Sequence, residues 1–413
     1  MPATPALDAI AHLADAALVR GSQVRAALLA GLQESSGLHP TSLDHLLDSW
    51  ARAWQRPGLE RLFFRGLGHL PLHGWAPLGT VAVVAPGNLP VATWQAMLEP
   101  LLCGDRVRVR PGSGDPLAPG NLRQAFGIAA PDLAHRIDIQ TFDRADVSAW
   151  TGFLAGTQAL SVQGSDEAVA AVLQLAGAAG FCGRVRGQGH LQSLAVVAPE
   201  LLADPPALAK AATGLAEDTL LADGRGCMSP RAVFLLQANP HRLGQLHMAL
   251  AEAFAVVAQR FPAGRLDPNW QAAQALAGDD LAFAAATDPT VAQVAMGSDW
   301  WLATLLNDAV LPMDSRQLGP GARALVVRGV ADGDDLADRL SPWVNRLSTL
   351  AVAAPPATPW PQGLDRLAPH RRCPPGQMQA PPADRAPDGH LPLIGYVRVI
   401  DAPEPVLARS ESL

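Results

Sequence analysis

The stretch Gly79-Thr-Val-Ala-Val-Val-Ala-Pro-Gly-Asn-Leu-Pro90 carries the pattern that decides the fold class of this 413-residue chain. Its first part, Gly79–Ala85, is a short apolar run that leads into the turn residues Pro, Gly and Asn. Such a run predicts a buried strand, and the stretch behind it, Val91–Leu102, predicts a helix. A buried strand that leads into a helix is the first half of a β–α–β unit.

The same alternation continues toward the carboxyl end of the chain. Further strands are predicted at Arg106–Arg110, Arg136–Gln140, Ala159–Gln163, Ser193–Val197, Arg231–Leu236, Arg323–Arg328 and Leu347–Ala353. Helices are predicted at Leu117–Phe126, Ala145–Leu154, Ser165–Leu175, Pro206–Leu221 and His241–Phe261. Strands that alternate with helices of about 10–15 residues indicate parallel sheets. We therefore expect an α/β protein with two doubly wound parallel-sheet domains.

The two ends of the chain differ from this pattern. The first seventy residues carry apolar residues at helical spacing, which predicts an N-terminal helical segment. Eleven prolines between Pro355 and Pro392 predict an extended loop, because proline cannot donate to a sheet or continue a helix. The run Ile394–Ile400 predicts a final strand.

The composition excludes several classes of protein. Apolar residues make up 49% and charged residues 17% of the chain, so it can bury a large core and is not expected to be disordered. The net charge of −7 argues against a nucleic-acid binder. No apolar run approaches the roughly 18 residues of a membrane span, and Asp8 and Asp15 speak against a signal peptide. Four scattered cysteines are consistent with a reducing cytoplasm.

Two predicted strands end in polar residues that have both a structural and a functional interpretation. Asn88 follows the first strand and is either a plain turn residue or a ligand-binding amide, since α/β sheets hold ligands at the carboxyl ends of their strands. Arg110 ends the second strand and either faces solvent or contacts a ribose or phosphate.

The turn at Gly164-Ser165 allows a similar pair of interpretations. Ser165 can cap the helix that follows, and the free N–H groups of that helix can instead hold a pyrophosphate. The G-x-G-x-x-G pattern of an ordinary dinucleotide site is absent from the first strand–helix turn.

Cys227 is the candidate nucleophile. A free cysteine is more often a small buried apolar residue, but this one lies in a glycine-rich polar turn between Arg225 and Arg231. Nearby cations favour the thiolate, which is the reactive form. The other three cysteines lack such a setting, and the eleven histidines show no metal-binding spacing.

Taken together, these stretches resemble the aldehyde dehydrogenase superfamily, and within it the acyl-CoA reductases typified by the fatty-acid reductase of bacterial luminescence. The resemblance extends from about Gly79 to Ile400. It rests on five segments that occur in the same order as in that family: Val84–Pro90, Gly104–Pro116, Val162–Ser165, the Cys-x-Ser-Pro motif in Gly226–Pro230, and Arg372–Met378 followed by Asp388-Gly389.

The resemblance implies a role for each candidate residue. Cys227 is the expected nucleophile, and the Asn88 amide and the Cys227 backbone N–H are the expected oxyanion donors. Arg110 corresponds to a lysine that binds the cofactor ribose, and Gly164 and Ser165 to the turn that holds the pyrophosphate. Gln188 lies at the cofactor site where oxidising members keep a water-activating glutamate, so its presence favours reduction.

The resemblance also implies a domain organisation and a reaction. The expected division is an N-terminal helical segment at 1–74, a nicotinamide cofactor domain at 75–198, a catalytic domain at 199–390, and a final strand and tail at 391–413. The expected reaction converts an acyl thioester to an aldehyde through an acyl-enzyme on Cys227. Ser113 replaces a ribose-binding glutamate of NAD-preferring members, and with Arg110 nearby a 2′-phosphate would be tolerated. Together these two residues favour NADPH, with NADH as the alternative cofactor.

Several points stay open at this stage. The acyl donor is either acyl-CoA or an acyl-carrier thioester, and an acyl-synthetase or carrier protein is a candidate partner. A homo-oligomer is expected by analogy alone. An acyl-phosphate reductase of the glutamyl phosphate type is an alternative, although no cationic phosphate pocket is evident. A catalytically silent scaffold subunit is a second alternative, which the unusual Arg225 before the nucleophile keeps open.

Overall fold

The computed structural model describes residues 5–70, 74–265, 267–307, 318–356 and 358–400. Its amino-terminal part is helical, as predicted. The helices are α1 (Pro5–Leu18), α2 (Gln23–Leu29), α3 (Leu32–Ser36), α4 (Pro40–Ala53) and α5 (Arg56–Leu67). Their buried apolar faces belong to the main core of the protein. The short strand β1 (Trp75–Pro77) follows.

A five-stranded sheet comes next in the chain. It contains β2 (Thr80–Val84), β3 (Arg106–Arg110), β4 (Ile137–Ile139), β5 (Ala159–Gln163) and β6 (Arg184–Gln188). The helices between its strands are α6 (Pro90–Leu102), α7 (Ala118–Ala129), α8 (Pro131–Ala134), α9 (Val147–Leu154) and α10 (Asp166–Ala178). The strand order is β4-β3-β2-β5-β6, and all neighbours are parallel.

A seven-stranded sheet occupies most of the remaining chain. Its strands are β7 (Gln192–Val197), β8 (Pro230–Leu235), β9 (Ala292–Met296), β10 (Trp301–Leu305), β11 (Ala324–Gly329), β12 (Leu347–Ala353) and β13 (Arg371–Cys373). The helices are α11 (Pro205–Leu220), α12 (Pro240–Arg260), α13 (Pro268–Thr287) and α14 (Gly333–Arg339). The order is β13-β12-β7-β8-β11-β10-β9, and only β9 is antiparallel to its neighbour. A last strand, β14 (Val397–Val399), pairs with β1.

The connection between the sheets determines where a site can form. The chain leaves the carboxyl end of β6 at Gln188 and enters the amino end of β7 at Gln192. The carboxyl edge of one sheet therefore faces the amino edge of the other across three residues. Within the five-stranded sheet, β3 and β4 are added on one side of β2, and β5 and β6 on the other. Such a switch point between β2 and β5 opens a crevice beyond the strand ends.

The fold class expected from the sequence is confirmed. The observed elements differ from the predicted ones only locally. The change of sheet falls between β6 and β7, whereas the predicted domain boundary follows residue 198. The proline-rich loop contains the short strand β13, and the final strand is shorter than predicted. The sequence did not predict α13, because its apolar residues are spread around the helix. No helix in the described ranges is long and apolar enough to cross a bilayer.

Candidate active site

A cavity of about 570 Å³ lies where the two sheets meet. Its lining includes Asn88, Gly164, Ser165, Gln188 and Cys227. These are five of the six residues that the sequence named as catalytic or cofactor-binding, and they come from the ends of β2, β5 and β6 and from the turn before β8. The structure thus brings together residues that lie up to 139 positions apart in the chain. The sixth residue, Arg110, does not line the cavity.

Cys227 follows a turn with an unusual backbone conformation. Ala222, Asp223 and Gly224 all adopt left-handed backbone angles, with φ of 55°, 56° and 63°. A Cβ atom on Gly224 would lie 2.2 Å from the carbonyl oxygen of Ala322, so only glycine fits there. The buried Asp223 carboxylate accepts the N–H of Gly264 at 3.2 Å, which fixes the turn. Clustered left-handed residues of this kind are typical of functional sites.

The backbone around Cys227 is held by neighbouring strands. The Ser193 hydroxyl, at the start of β7, donates to the Cys227 carbonyl at 2.7 Å and accepts the Thr349 N–H of β12 at 3.1 Å. The Ser229 N–H donates to the Gly226 carbonyl at 3.1 Å, so Cys227 lies at the first central position of a turn. These bonds use the backbone of Cys227 and leave its side chain exposed to the cavity.

The surroundings of the Cys227 thiol act on its pKa in both directions. Although the side chain is exposed toward the cavity, desolvation by the surrounding protein raises the pKa of the thiol. The positive charges of Arg385 and Arg231 and a hydrogen bond with the Ser348 side chain lower the pKa, and the Asp388 carboxylate raises it. The net effect raises the pKa of the thiol, and Arg385, from the carboxyl-terminal segment, makes the largest contribution in the opposite direction.

Arg225 does not have the position expected for thiolate support. Its guanidinium extends to the N-terminal helical segment, where it donates to the Ser36 carbonyl, and it donates to the Arg265 carbonyl at 3.0 Å. It also pairs with Asp223 at 3.5 Å. Sequence proximity placed Arg225 beside Cys227, but the three carbonyl and carboxylate acceptors draw its side chain away from the thiol.

Asn88 connects the five-stranded sheet to the nucleophile turn. Its Nδ2 donates to the Arg225 carbonyl at 3.2 Å, two residues before Cys227. This bond uses one of the two amide hydrogens, and the second is left for a ligand. Its Oδ1 is buried and has no hydrogen-bond partner among the residues that the structure describes. Because buried polar atoms are usually paired, the unpaired oxygen suits a site that a ligand completes.

The turn at Gly164-Ser165 aligns β5 with β6 and begins α10. The Gly164 N–H donates to the Gln188 carbonyl at 3.1 Å, and the Ser165 hydroxyl caps α10 by accepting the Ala168 N–H at 3.2 Å. The structural interpretation of Ser165 is thus confirmed. Both residues also line the cavity, so the cap does not exclude a contact with a cofactor.

Arg110 is directed away from the cavity. Its guanidinium packs over the rings of Phe142 and Trp150, at 5.1 Å and 5.7 Å from the ring centroids. It also donates to the Phe142 carbonyl at 3.2 Å. Desolvation in this setting lowers the pKa of Arg110. The guanidinium is therefore already engaged by neighbours of the five-stranded sheet.

The carboxyl-terminal segment supplies Arg385, which the sequence did not single out, and Asp388, which the sequence named only as part of the resemblance. Arg385 and Asp388 both line the cavity with Cys227. The segment is anchored by the buried Asp218, which accepts the N–H groups of Gly376 and Met378 at 2.6 Å and 3.0 Å. Burial raises the pKa of Asp218 to about 7. No local pattern predicts that a proline-rich loop returns to a residue 158 positions earlier.

Solved structures with a similar fold include several aldehyde dehydrogenases. The chain matches an NAD-dependent aldehyde dehydrogenase from Sinorhizobium meliloti with a TM-score of 0.64 and 13% identity, over 98% of this chain and 85% of that one. It matches a succinic semialdehyde dehydrogenase from Streptococcus pyogenes, solved with NADP+, with a TM-score of 0.64 and 13% identity. This match covers 96% of this chain and 89% of that one. It also matches an NAD-dependent benzaldehyde dehydrogenase from Corynebacterium glutamicum, with a TM-score of 0.58 and 16% identity, over 92% of this chain and 84% of that one.

The fold is therefore that of the aldehyde dehydrogenases. Within this class, a family model for acyl-CoA reductase (LuxC) matches residues 71–399, and the chain belongs to this family. The resemblance drawn from the sequence motifs is confirmed. No curated protein matches the chain.

Proposed function

We propose that this chain is an acyl-thioester reductase that forms an aldehyde through an acyl-enzyme on Cys227, with NADPH as the reductant. The observation that carries this proposal is the hydrogen bond of 3.2 Å between the Asn88 amide and the backbone just before Cys227. It ties the end of β2 to the turn that carries Cys227, and Asn88 and Cys227 line the same cavity, which supports the proposal. Membership of an acyl-CoA reductase family supports the choice of substrate.

The residues of the chain carry out the acyl-transfer step. The Cys227 thiolate attacks the thioester carbonyl carbon, a new carbon–sulfur bond forms, and the carbonyl electrons move onto oxygen. The second Asn88 N–H and the Cys227 backbone N–H stabilise this oxyanion. When the carbonyl reforms, the bond to the donor sulfur breaks, and coenzyme A leaves as a thiolate with that electron pair. Arg385 and Arg231 stabilise negative charge on sulfur in this step.

The crevice at the switch point of the five-stranded sheet fits a nicotinamide cofactor. Gly164 and Ser165 lie at the amino end of α10, and Gln188 lies at the end of β6, all on the cavity wall. These residues would hold the cofactor, which supplies a hydride for reduction of the acyl group when bound. The Gln188 amide offers no carboxylate to activate water, so loss of the acyl group by hydrolysis is disfavoured.

Ser113 supports NADPH over NADH. It lines the cavity and carries no charge, so it does not repel a 2′-phosphate as a carboxylate would. Arg110 is engaged by Phe142 and Trp150, and the support for NADPH therefore rests on Ser113 alone. NADH is the alternative reductant.

A direct assay tests this function. The protein is mixed with acyl-CoA and either NADPH or NADH, and aldehyde is measured by mass spectrometry beside the fall in cofactor absorbance. We expect one aldehyde per cofactor oxidised, with faster turnover for NADPH. Turnover of an acyl phosphate but not of acyl-CoA would replace this proposal by the acyl-phosphate reductase, and absence of turnover with both would favour a scaffold subunit. A carrier-protein partner, a homo-oligomer and a cytoplasmic location stay predictions.

The charges around Cys227 predict opposite effects of two substitutions. Since the thiolate is the form that reacts with iodoacetamide, the alkylation rate follows the ionisation of Cys227. Arg385→Gln removes a cation and raises the thiol pKa, so half-maximal alkylation moves to higher pH. Asp388→Asn removes an anion and lowers the thiol pKa, so half-maximal alkylation moves to lower pH. Rates measured from pH 6 to pH 10, with the labelled peptide identified by mass, check both effects.

Arg372→Gln is the matched control for this pair. Arg372 lies on the same carboxyl-terminal segment, but it pairs with the exposed Asp365 and does not line the cavity. Its substitution should leave the alkylation profile unchanged. Shifts of the same sign for Arg385→Gln and Asp388→Asn would refute the electrostatic account.

A further inference from the structure

One wall of the active-site cavity comes from the N-terminal helical segment. Leu46, Ser49, Trp50 and Trp54, on and at the end of α4, line the cavity together with Cys227. All four lie before residue 71, where the match to the acyl-CoA reductase family begins. This wall is therefore a feature of the present chain that the family match does not describe.

The two tryptophans form a rigid surface. Trp50 and Trp54 are four residues apart, which places them on one face of α4, and their rings stack with centroids 6.2 Å apart. Trp50 also packs edge-on against Trp94 of α6 at 5.3 Å. Both residues are buried, with exposed fractions of 6% and 2%. Ring packing of this kind restricts the movement of both side chains.

The beginning of α6 adds to the apolar lining that α4 contributes, and we call these two parts together the apolar arm of the cavity. Leu89, Val91 and Ala92 line it there, directly after Asn88. Helix α4 contacts both α6 and the turn before Cys227. The hydrogen bond from Arg225 to the Ser36 carbonyl ties the N-terminal segment to that same turn. The apolar arm thus directly follows Asn88 in the chain and contacts the turn that precedes Cys227.

The other side of the cavity has a different chemical character. It is lined by Gln163, Ser165 and Gln188 at the strand ends of the five-stranded sheet. In contrast, α4 and α6 contribute no charged side chain to the lining, only apolar residues and the neutral Ser49 and Gln95. Cys227 lines the same cavity as both groups of residues, as expected for a site that receives a polar cofactor and an apolar group at one nucleophile.

We propose that this apolar arm binds the acyl chain of the thioester, and that Trp50 and Trp54 close it and limit the acyl group to a compact, uncharged one. The inference rests on the proposed function and names its substrate class: short- to medium-chain or aromatic acyl thioesters. A long chain would require displacement of the stacked rings. An acyl group with a terminal carboxylate would place its charge against an apolar wall, which is unfavourable.

Binding measurements in the absence of reaction test whether the apolar arm holds the acyl chain. Affinities of acyl-CoAs of increasing chain length are measured by calorimetry for Cys227→Ala, which cannot be acylated, alone and combined with Trp54→Ala or Ala92→Phe. Trp54 ends α4, so its substitution does not interrupt the helix. We expect Trp54→Ala to move the preferred length upward and Ala92→Phe to move it downward, with changes of about 10-fold or more for the excluded lengths.

Trp343→Ala is the matched control, because Trp343 is equally buried but belongs to a separate core of the seven-stranded sheet. It should leave the length preference unchanged. Equal affinity for all chain lengths, or a preference that neither Trp54→Ala nor Ala92→Phe moves, would overturn the inference. The binding assay needs no turnover, so a length preference that moves as expected supports the apolar arm even if the intact protein forms no aldehyde. Absence of aldehyde together with such a preference would refute only the proposed reaction.

Discussion

Cys227→Ala is expected to abolish aldehyde formation and leave the fold intact. The side chain is the proposed nucleophile, and removal of a nucleophile that acts as one unit with its neighbours costs on the order of 10⁶ in kcat. The fold should be unaffected, because the turn is held through the backbone of Cys227, by Ser193 and by the bond between Ser229 and Gly226. Turnover with acyl-CoA and NADPH, beside a thermal unfolding curve, measures both properties.

Cys182→Ala is the appropriate control for this substitution. Cys182 is also an exposed free cysteine, but it does not line the cavity. Its replacement should leave turnover unchanged. Substantial turnover by Cys227→Ala, or loss of turnover by Cys182→Ala, would contradict the assignment of the nucleophile.

Asn88→Ala is expected to lower kcat by about 10²–10³, the usual cost of removing one oxyanion donor. The effect should fall on kcat more than on KM, since the oxyanion exists only in the transition state and the tetrahedral intermediate. The substitution also removes the hydrogen bond to the Arg225 carbonyl, so part of the effect could arise from a displaced Cys227 turn. Steady-state kinetics alone does not separate these two causes.

Two further measurements separate them. The alkylation rate of Cys227 in Asn88→Ala reports whether the thiol keeps its position and ionisation, and it should match that of the unchanged protein. Gln140→Ala, which removes a neutral amide just after β4 that does not line the cavity, should leave kcat unchanged within a few-fold. An unchanged kcat for Asn88→Ala, or a loss that is fully accounted for by slower alkylation, would remove Asn88 from the oxyanion site.

The parts of the site that follow from strand ends were predictable from the sequence. A buried strand followed by Pro-Gly-Asn predicts a turn at the carboxyl edge of a parallel sheet, and Asn88 lies there. The same reasoning applies to Gly164 and Ser165 at the end of β5. These positions depend on local pattern and on the general geometry of α/β sheets, both of which a single sequence contains.

The parts that depend on long-range packing were not predictable. Arg225 and Arg385 illustrate this. The guanidinium of Arg225, two residues before the cysteine, is engaged elsewhere, and Arg385, 158 positions after the cysteine, acts on the thiol instead. Their placement depends on acceptors at Ser36 and Arg265 and on the anchoring of the carboxyl-terminal segment by Asp218. Arg110 is a third case, since the aromatic pair that engages it comes from the segment around α9.

The N-terminal helices show a further limit of local patterns. Trp50 belongs to the apolar stripe of α4, and this stripe predicts burial correctly. The stripe does not show that the buried face covers the catalytic cavity rather than the core alone. That information lies in the contact of α4 with α6 and with the turn before β8.

The most direct test of the central claim is the intact mass of the protein after mixing with a medium-chain acyl-CoA in the absence of cofactor, beside the Cys227→Ala variant. We expect a mass increase equal to one acyl group, absent in Cys227→Ala and lost when NADPH is added, with release of the aldehyde. An adduct that persists in Cys227→Ala, or the absence of any adduct with short, long and aromatic acyl-CoAs, would contradict an acyl-enzyme on Cys227.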